Sequence, residues 1–152
     1  MGLLIAGRFA AFGNVDSMGQ IVDPGAFSMW LERNETTSLP IFWAHDHLDD
    51  RTARPIGKST GIIQRPDGAY FTGELADTPK AAEIAALVTS GAARGASFAY
   101  REIWTSIDEE GLEHLVILEP VEITIATWGA NDKAFVEPLE IQPDPSAEEQ
   151  AA

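Results

Sequence analysis

Apolar runs in this chain are short, and most are closed by Gly, Pro, Asn or Asp at the length of a strand rather than a helix. Leu3 to Phe12 stops at Gly13-Asn14, and Leu39 to Ala44 runs straight into His45-Asp46-His47. Ile56 to Gln64 and Ala69 to Leu75 flank Arg65-Pro66-Asp67-Gly68, which suits a type I turn with Pro66 at its second position. Phe98 to Ile107 and Leu112 to Leu118 flank the hairpin turn Asp108-Glu109-Glu110-Gly111. Val121 to Thr127 follows Pro120, which cannot donate within a ladder and so separates or bends the strand there. Ala134 to Ile141 is a last short extended segment. Apolar runs bounded by turn residues read as strands.

Two segments read as helices. Thr78 caps the clearer one, Pro79 takes its first position and Gly91 ends it, with Ala81, Ile84, Ala85, Leu87 and Val88 on its apolar side. The shorter one is predicted to start at Asp23-Pro24, with Phe27, Trp30 and Leu31 on one face. About six or seven strands, joined mostly by short turns, make the expected fold mainly β within the α+β class: an antiparallel sheet or barrel with helices outside it. Residues 1–141 are expected to form a single domain. Residues 142–152, rich in Pro, Glu and Ala, are expected to be a disordered acidic tail.

Composition removes several classes of function. Lys and Arg total 10 against 24 Asp and Glu, a formal net charge of −14. A surface that acidic repels phosphate backbones and anionic lipids, so neither nucleic acid nor membrane is the expected partner. There is no cysteine, hence no disulfide, thiolate metal site or cysteine nucleophile. No apolar run approaches the roughly 20 residues that span a bilayer. The N-terminal residues lack the basic start and long apolar stretch of a signal peptide, and a soluble intracellular protein is expected.

Chemistry concentrates at a few positions. His45 sits where an apolar strand meets a charged loop, partly desolvated yet within reach of substrate, which suits a general base. The plain alternative is a hydrogen-bonded rim histidine. His45 and His47 are also two apart, so in an extended segment both imidazoles could reach one ion, with Asp49 and Asp50 nearby. That stretch approaches the HxHxDH of metallo-β-lactamase-like hydrolases but has Asp50 where the last histidine belongs. Ser97 follows Arg94-Gly95-Ala96, small residues that let a carbonyl approach a nucleophile, although a structural serine at a strand start is the alternative. Glu122 lies in an apolar strand, where a buried carboxylate is costly unless paired, as by an imidazole N–H. If Glu122 faces solvent, Val121 and Ile123 face the core; alternation does not decide, since Thr124 shares the parity of Glu122. The tryptophans Trp30, Trp43, Trp104 and Trp128 are expected in or at the edge of the core. Gly57-Lys58-Ser59-Thr60 lacks the earlier glycine of a phosphate-binding loop.

Taken in order, Asp23-Pro24-Gly25-Ala26-Phe27, Ala44-His45-Asp46, Pro55-Ile56-Gly57, the Gly68 turn, Ser90-Gly91 and Arg94-Gly95-Ala96-Ser97-Phe98-Ala99-Tyr100 resemble the prohead proteases of tailed bacteriophages. Glu122 to Ala134 resembles that family's closing motif, E-[VIL]-S-x-V-x-x-P-A-N-x-x-A. The likeness runs from about Arg8 to Val136, with departures at Thr124 for Ser, Gly129 for Pro, and Phe98-Ala99-Tyr100 for the common Ile-Gly-Phe. The resemblance implies an antiparallel β-barrel with flanking helices, like herpesvirus assemblin-type proteases, and a serine endopeptidase needing no cofactor or metal. Its catalytic histidine maps to His45, its serine to Ser97 and its third member to Glu122. Oxyanion donors would come from the backbone at Gly95-Ala96-Ser97, from the Gly129-Ala130-Asn131 loop or from Arg94; the sequence does not choose among them. The implied substrates are the major capsid protein and scaffold protein, and the implied place is the assembling procapsid in the host cytoplasm. Cleavage of its own chain and a homodimer stay open. Two rival readings are a catalytically silent assembly module of the same fold and a metal-dependent hydrolase built on His45 and His47.

Overall fold

The computed structural model describes residues 2–34 and 38–140. The expected tail, 142–152, lies outside the described residues. The elements run β1 (Leu4–Ala11), β2 (Gln20–Val22), α1 (Ser28–Arg33), β3 (Pro40–Trp43), α2 (Asp46–Asp49), β4 (Gly57–Arg65), β5 (Gly68–Leu75), α3 (Pro79–Ser90), β6 (Gly95–Ile107), β7 (Glu113–Ala126) and β8 (Phe135–Pro138).

The mainly-β expectation holds, with more strands and a less regular pairing than the turns suggested. All the strands join one 8-stranded sheet. The β4–β5 and β6–β7 hairpins are antiparallel, as are β1–β5 and β1–β8. Both β2 and β3, however, pair parallel with β7, β2 near its start and β3 near its end. The ladder does not close into a barrel. It curls until β8 returns to the approach to β6, where the Val136 N–H donates to the Arg94 carbonyl at 2.9 Å.

Helix α3 forms as its boundary residues dictate. Thr78 accepts from the Ala81 N–H at 3.2 Å, Pro79 needs no donor at the first position, and Gly91 ends the helix at φ 80°. Ala81, Ile84 and Val88 bury its inner face. Helix α1 starts later than predicted, at Ser28, and Asp23 does not cap it. Beneath it lies an aromatic cluster: Phe27 is 5.5 Å from Phe9 and 5.4 Å from Phe98 between ring centroids. Each such contact adds about 0.5–1.5 kcal/mol beyond area burial, and Phe98 thereby pins β6 immediately after Ser97. Trp30 and Trp43 pack in or against the core, but Trp104 and Trp128 are exposed, correcting the expectation for those two. Trp104 lies where β6 is open to solvent, and Trp128 on the loop that leaves β7.

Asp23 has another task. His114 at the start of β7 meets Asp23 Oδ1 through Nδ1 at 2.6 Å and Asp108 Oδ2 through Nε2 at 2.8 Å. The Asp23 hydrogen bond, then that of Asp108, hold the imidazole above its ordinary value of 6.5. A raised histidine stabilises the fold fully below 6.5 and less as pH climbs through its folded value. Melting temperatures at pH 6 and pH 9 should therefore differ more for the wild type than for His114→Gln. Equal differences would show that the cluster contributes nothing to pH-dependent stability.

Candidate active site

Three adjacent strands build the site on one face of the sheet. Ser97 on β6 pairs with Thr124 on β7, and Thr124 pairs with Phe42 on β3. Glu122 lies two residues before Thr124 and so shares its face. Both faces of β7 are covered here: Ile123 and Ile125 are buried in the core on one side, Glu122 and Thr124 are buried on the other. Of the two outcomes expected at Pro120, a separation or a bend, the structure shows the second, a bulge within one continuous strand. Ala99 pairs with Glu122 and Tyr100 with Pro120, which leaves Val121 as the extra residue, exposed. The solvent-facing alternative for Glu122 is thus overturned, because the bulge turns Val121 outward.

Just after β3 the chain turns sharply. Ala44 and His45 have φ of 50° and 51°, in the left-handed region that non-glycine residues rarely occupy. Two hydrogen bonds hold this strained pair: the Ala44 N–H donates to the Ile125 carbonyl at 2.8 Å, and the His45 N–H to Thr124 Oγ1 at 3.0 Å. The turn swings the His45 ring back over β7. Its Nε2 lies 3.2 Å from Ser97 Oγ, and its Nδ1 lies 3.2 Å from Glu122 Oε2 and 3.1 Å from Oε1. With Nδ1–H donating to the carboxylate, Nε2 presents a lone pair to the serine hydroxyl. That tautomer can accept a proton from Ser97.

Glu122 is 1% exposed and fully engaged. Oε1 accepts from the Ala99 N–H at 2.8 Å, a backbone donor that faces the side chain at the bulge. Oε2 accepts from Thr124 Oγ1 at 3.1 Å and from His47 Nε2 at 2.9 Å. Burial pushes the carboxyl pKa up, but the hydrogen bond and charge of His45, with the Thr124 and Ala99 donors, outweigh it and hold Glu122 below its ordinary value. Glu122 is therefore a carboxylate at neutral pH.

Small residues set the closing loop against the nucleophile strand. A Cβ on Gly95 would lie 2.5 Å from the Gly129 nitrogen, and one on Gly129 would lie 2.5 Å from the Ala96 carbonyl oxygen. Only glycine at both positions allows that approach. The loop then runs to Asn131, whose amide faces that of Asn14 at 2.9 Å and 3.2 Å. Ser97, His45 and Asn131 line one cleft of about 240 Å³ with Ala96. Its floor is apolar, made by Phe9, Val22, Phe98 and Leu115, and Met18 stands exposed at its rim. Gly95 and Ala96 are buried at the start of β6, while the Arg94 Nε donates to the Gly91 carbonyl at 2.8 Å. Of the residues considered as oxyanion donors, Ala96, Ser97, Ala130 and Asn131 line the cleft, and Gly95, Gly129 and Arg94 do not.

The spacing of His45 and His47 suggested that both could reach one ion, with Asp49 and Asp50 nearby. Both histidines converge instead on Glu122 of the adjacent strand β7. His45, His47 and Glu122 offer ligand atoms within 4.8 Å of one another, the group among the described residues that could hold a metal ion. Asp50 is turned to Thr52, whose N–H and hydroxyl it accepts at 2.9 Å and 2.7 Å. Asp46, between the histidines, forms an ion pair with Lys80 of α3. Sequence reasoning left two contributions unassigned: His47 as a partner of Glu122, and Thr124 as the hydroxyl linking the His45 backbone to that carboxylate.

A family model described as caudovirus prohead serine protease matches residues 2–148. The prohead protease of Enterobacteria phage HK97 is 29% identical over 140 residues, covering 88% of this chain and 58% of that relative. The chain thus spans little more than half the length of that protein. Among solved structures, the protease of Kaposi's sarcoma-associated herpesvirus in complex with a hexapeptide phosphonate inhibitor superposes with a TM-score of 0.58 at 15% identity, covering 90% of this chain and 64% of that one. The same herpesvirus protease with an allosteric inhibitor gives 0.53 at 15% identity over 91% and 77%. At that identity the likeness is one of fold.

Proposed function

Because this chain belongs to the caudovirus prohead serine protease family, we propose that it is a serine endopeptidase of procapsid maturation, acting on capsid and scaffold proteins and on its own chain. One observation carries the reading: a single imidazole touches both a serine hydroxyl in an apolar cleft and a buried carboxylate. Ser97 Oγ attacks the peptide carbonyl while His45 Nε2 takes its proton. Glu122 holds the His45 tautomer and stabilises the imidazolium. His45 then returns the proton to the leaving amine, and water repeats the sequence on the acyl-enzyme. The 3.2 Å contact to Ser97 is at the long end for a hydrogen bond, as is common before substrate binds.

The alternatives are a silent assembly module and a metal-dependent hydrolase. No helix among the described residues is long and apolar enough to cross a membrane. The test is cleavage of a phage capsid protein and a scaffold protein co-expressed with this chain, with new N-termini identified by mass spectrometry. Wild type should produce them, Ser97→Ala should not, and EDTA should leave the yield unchanged. Equal products from Ser97→Ala would sink the serine reading, and loss with EDTA would favour a metal at His45, His47 and Glu122.

A further inference from the structure

We infer that His47 is a positioning residue for the reaction, a fourth member of the line Ser97–His45–Glu122–His47; the inference rests on the serine-protease reading above. Nothing in the chemistry of a serine, a base and an acid requires a second histidine on the acid. Yet His47 Nε2 makes the shortest of the contacts that Glu122 receives from its imidazoles, 2.9 Å against 3.1 and 3.2 Å from His45. His45 Nδ1 lies almost midway between the two carboxylate oxygens. The carboxylate plane must therefore be fixed by its other donors.

Those donors divide the work. The Ala99 N–H fixes Oε1, while His47 and Thr124 fix Oε2. A carboxylate held in this way needs little reorganisation when His45 becomes an imidazolium, which is how preorganised donors speed a step. His47 is itself fixed. Its ring packs on Phe42 at 4.5 Å between centroids, and Phe42 is the strand partner of Thr124. Asp46, its neighbour on α2, is tied to Lys80 at the start of α3. The Nε2–H that reaches Glu122 is thus carried on a braced ring rather than a mobile side chain.

The length of the side chain makes the inference testable. A glutamine amide nitrogen lies about as far from Cα as a histidine Nε2, whereas an asparagine amide matches only Nδ1. His47→Gln can restore the donor to Glu122, and His47→Asn cannot reach it. The readout is the rate at which a fluorophosphonate labels Ser97, followed by intact mass, with Ser97→Ala as the blank and melting temperatures taken for every variant. His47→Ala and His47→Asn should slow labelling about tenfold, the rate equivalent of one charge-assisted hydrogen bond. His47→Gln should stay within about twofold of wild type, and added imidazole should partly restore His47→Ala. A merely structural His47 would not separate Gln from Asn at equal melting temperature. Equal rates for Gln and Asn, or no loss in any variant, would overturn this inference alone. No adduct on Ser97 in the wild type would overturn the serine-protease reading, and this inference with it.

Discussion

A fluorophosphonate should form one covalent adduct with this chain, on Ser97, and Ser97→Ala should abolish it. Ser97 Oγ attacks phosphorus, fluoride leaves, and the hydroxyl proton passes to His45 Nε2. An ordinary serine does not react this way at useful rates, because its hydroxyl has no base to take the proton. In this chain the base is 3.2 Å away, and a carboxylate at its Nδ1 favours the tautomer that leaves Nε2 free to accept. His45→Ala should slow the labelling by about 10²–10⁴-fold, the usual worth of a positioned general base. Peptide mapping fixes the site. Labelling that persists in Ser97→Ala, or is unchanged in His45→Ala, would remove Ser97 or His45 from its assigned role.

The strength of that expectation comes from how the pieces were brought together. Ser97 and His45 are 52 residues apart, and His45 and Glu122 are 77 apart. Local patterns gave each residue its surroundings: an apolar strand ending at His45, small residues before Ser97, and an apolar run around Glu122. The resemblance to the prohead proteases joined them. Periodicity did not disclose the parallel pairing of β3 with β7, because a short continuous apolar run marks a buried segment without naming its partner or its direction. That pairing is what lays His45 across Glu122.

Other features escaped for similar reasons. The short β2 strand, Gln20–Val22, takes its ladder from distant β7 and only single bridges from nearby Phe12 and Val15, and its flanking turn residues read as loop. The bulge at Val121 reverses the inside-outside alternation, so parity could not place Glu122. Thr124 looked like a departure from the family's serine. Its hydroxyl makes the two contacts the position requires, accepting from the His45 N–H and donating to Glu122, and the added methyl is fully buried. Gly129 for proline also has a local reason, since the loop lies against the Ala96 carbonyl where a Cβ has no room.

Glu122→Gln should be the most damaging isosteric change in the molecule. The substitution preserves volume but replaces one acceptor oxygen with an amide NH₂. Oε1 receives the Ala99 N–H and Oε2 receives Thr124 and His47, while His45 reaches both. Whichever position the amide nitrogen takes, it meets a donor with a donor. His45 can escape the clash by moving its proton to Nε2, and it then no longer offers a lone pair to Ser97. Loss of the orienting carboxylate in such a site costs on the order of 10⁴-fold in rate, and a mispaired buried donor costs about 1–3 kcal/mol of stability. Acid stability separates the charge from the shape. Because Glu122 is held below its ordinary value, its ionised form stabilises the fold above that value, and the contribution fades as pH falls through the lowered one. Glu122→Gln should therefore melt lower than wild type at pH 7 and lose less on acidification. The variant should fold, since the core face of β7 at Ile123 and Ile125 is untouched. If folded Glu122→Gln labels within tenfold of wild type, Glu122 is not the group that orients His45, and the line from serine to carboxylate ends at the histidine.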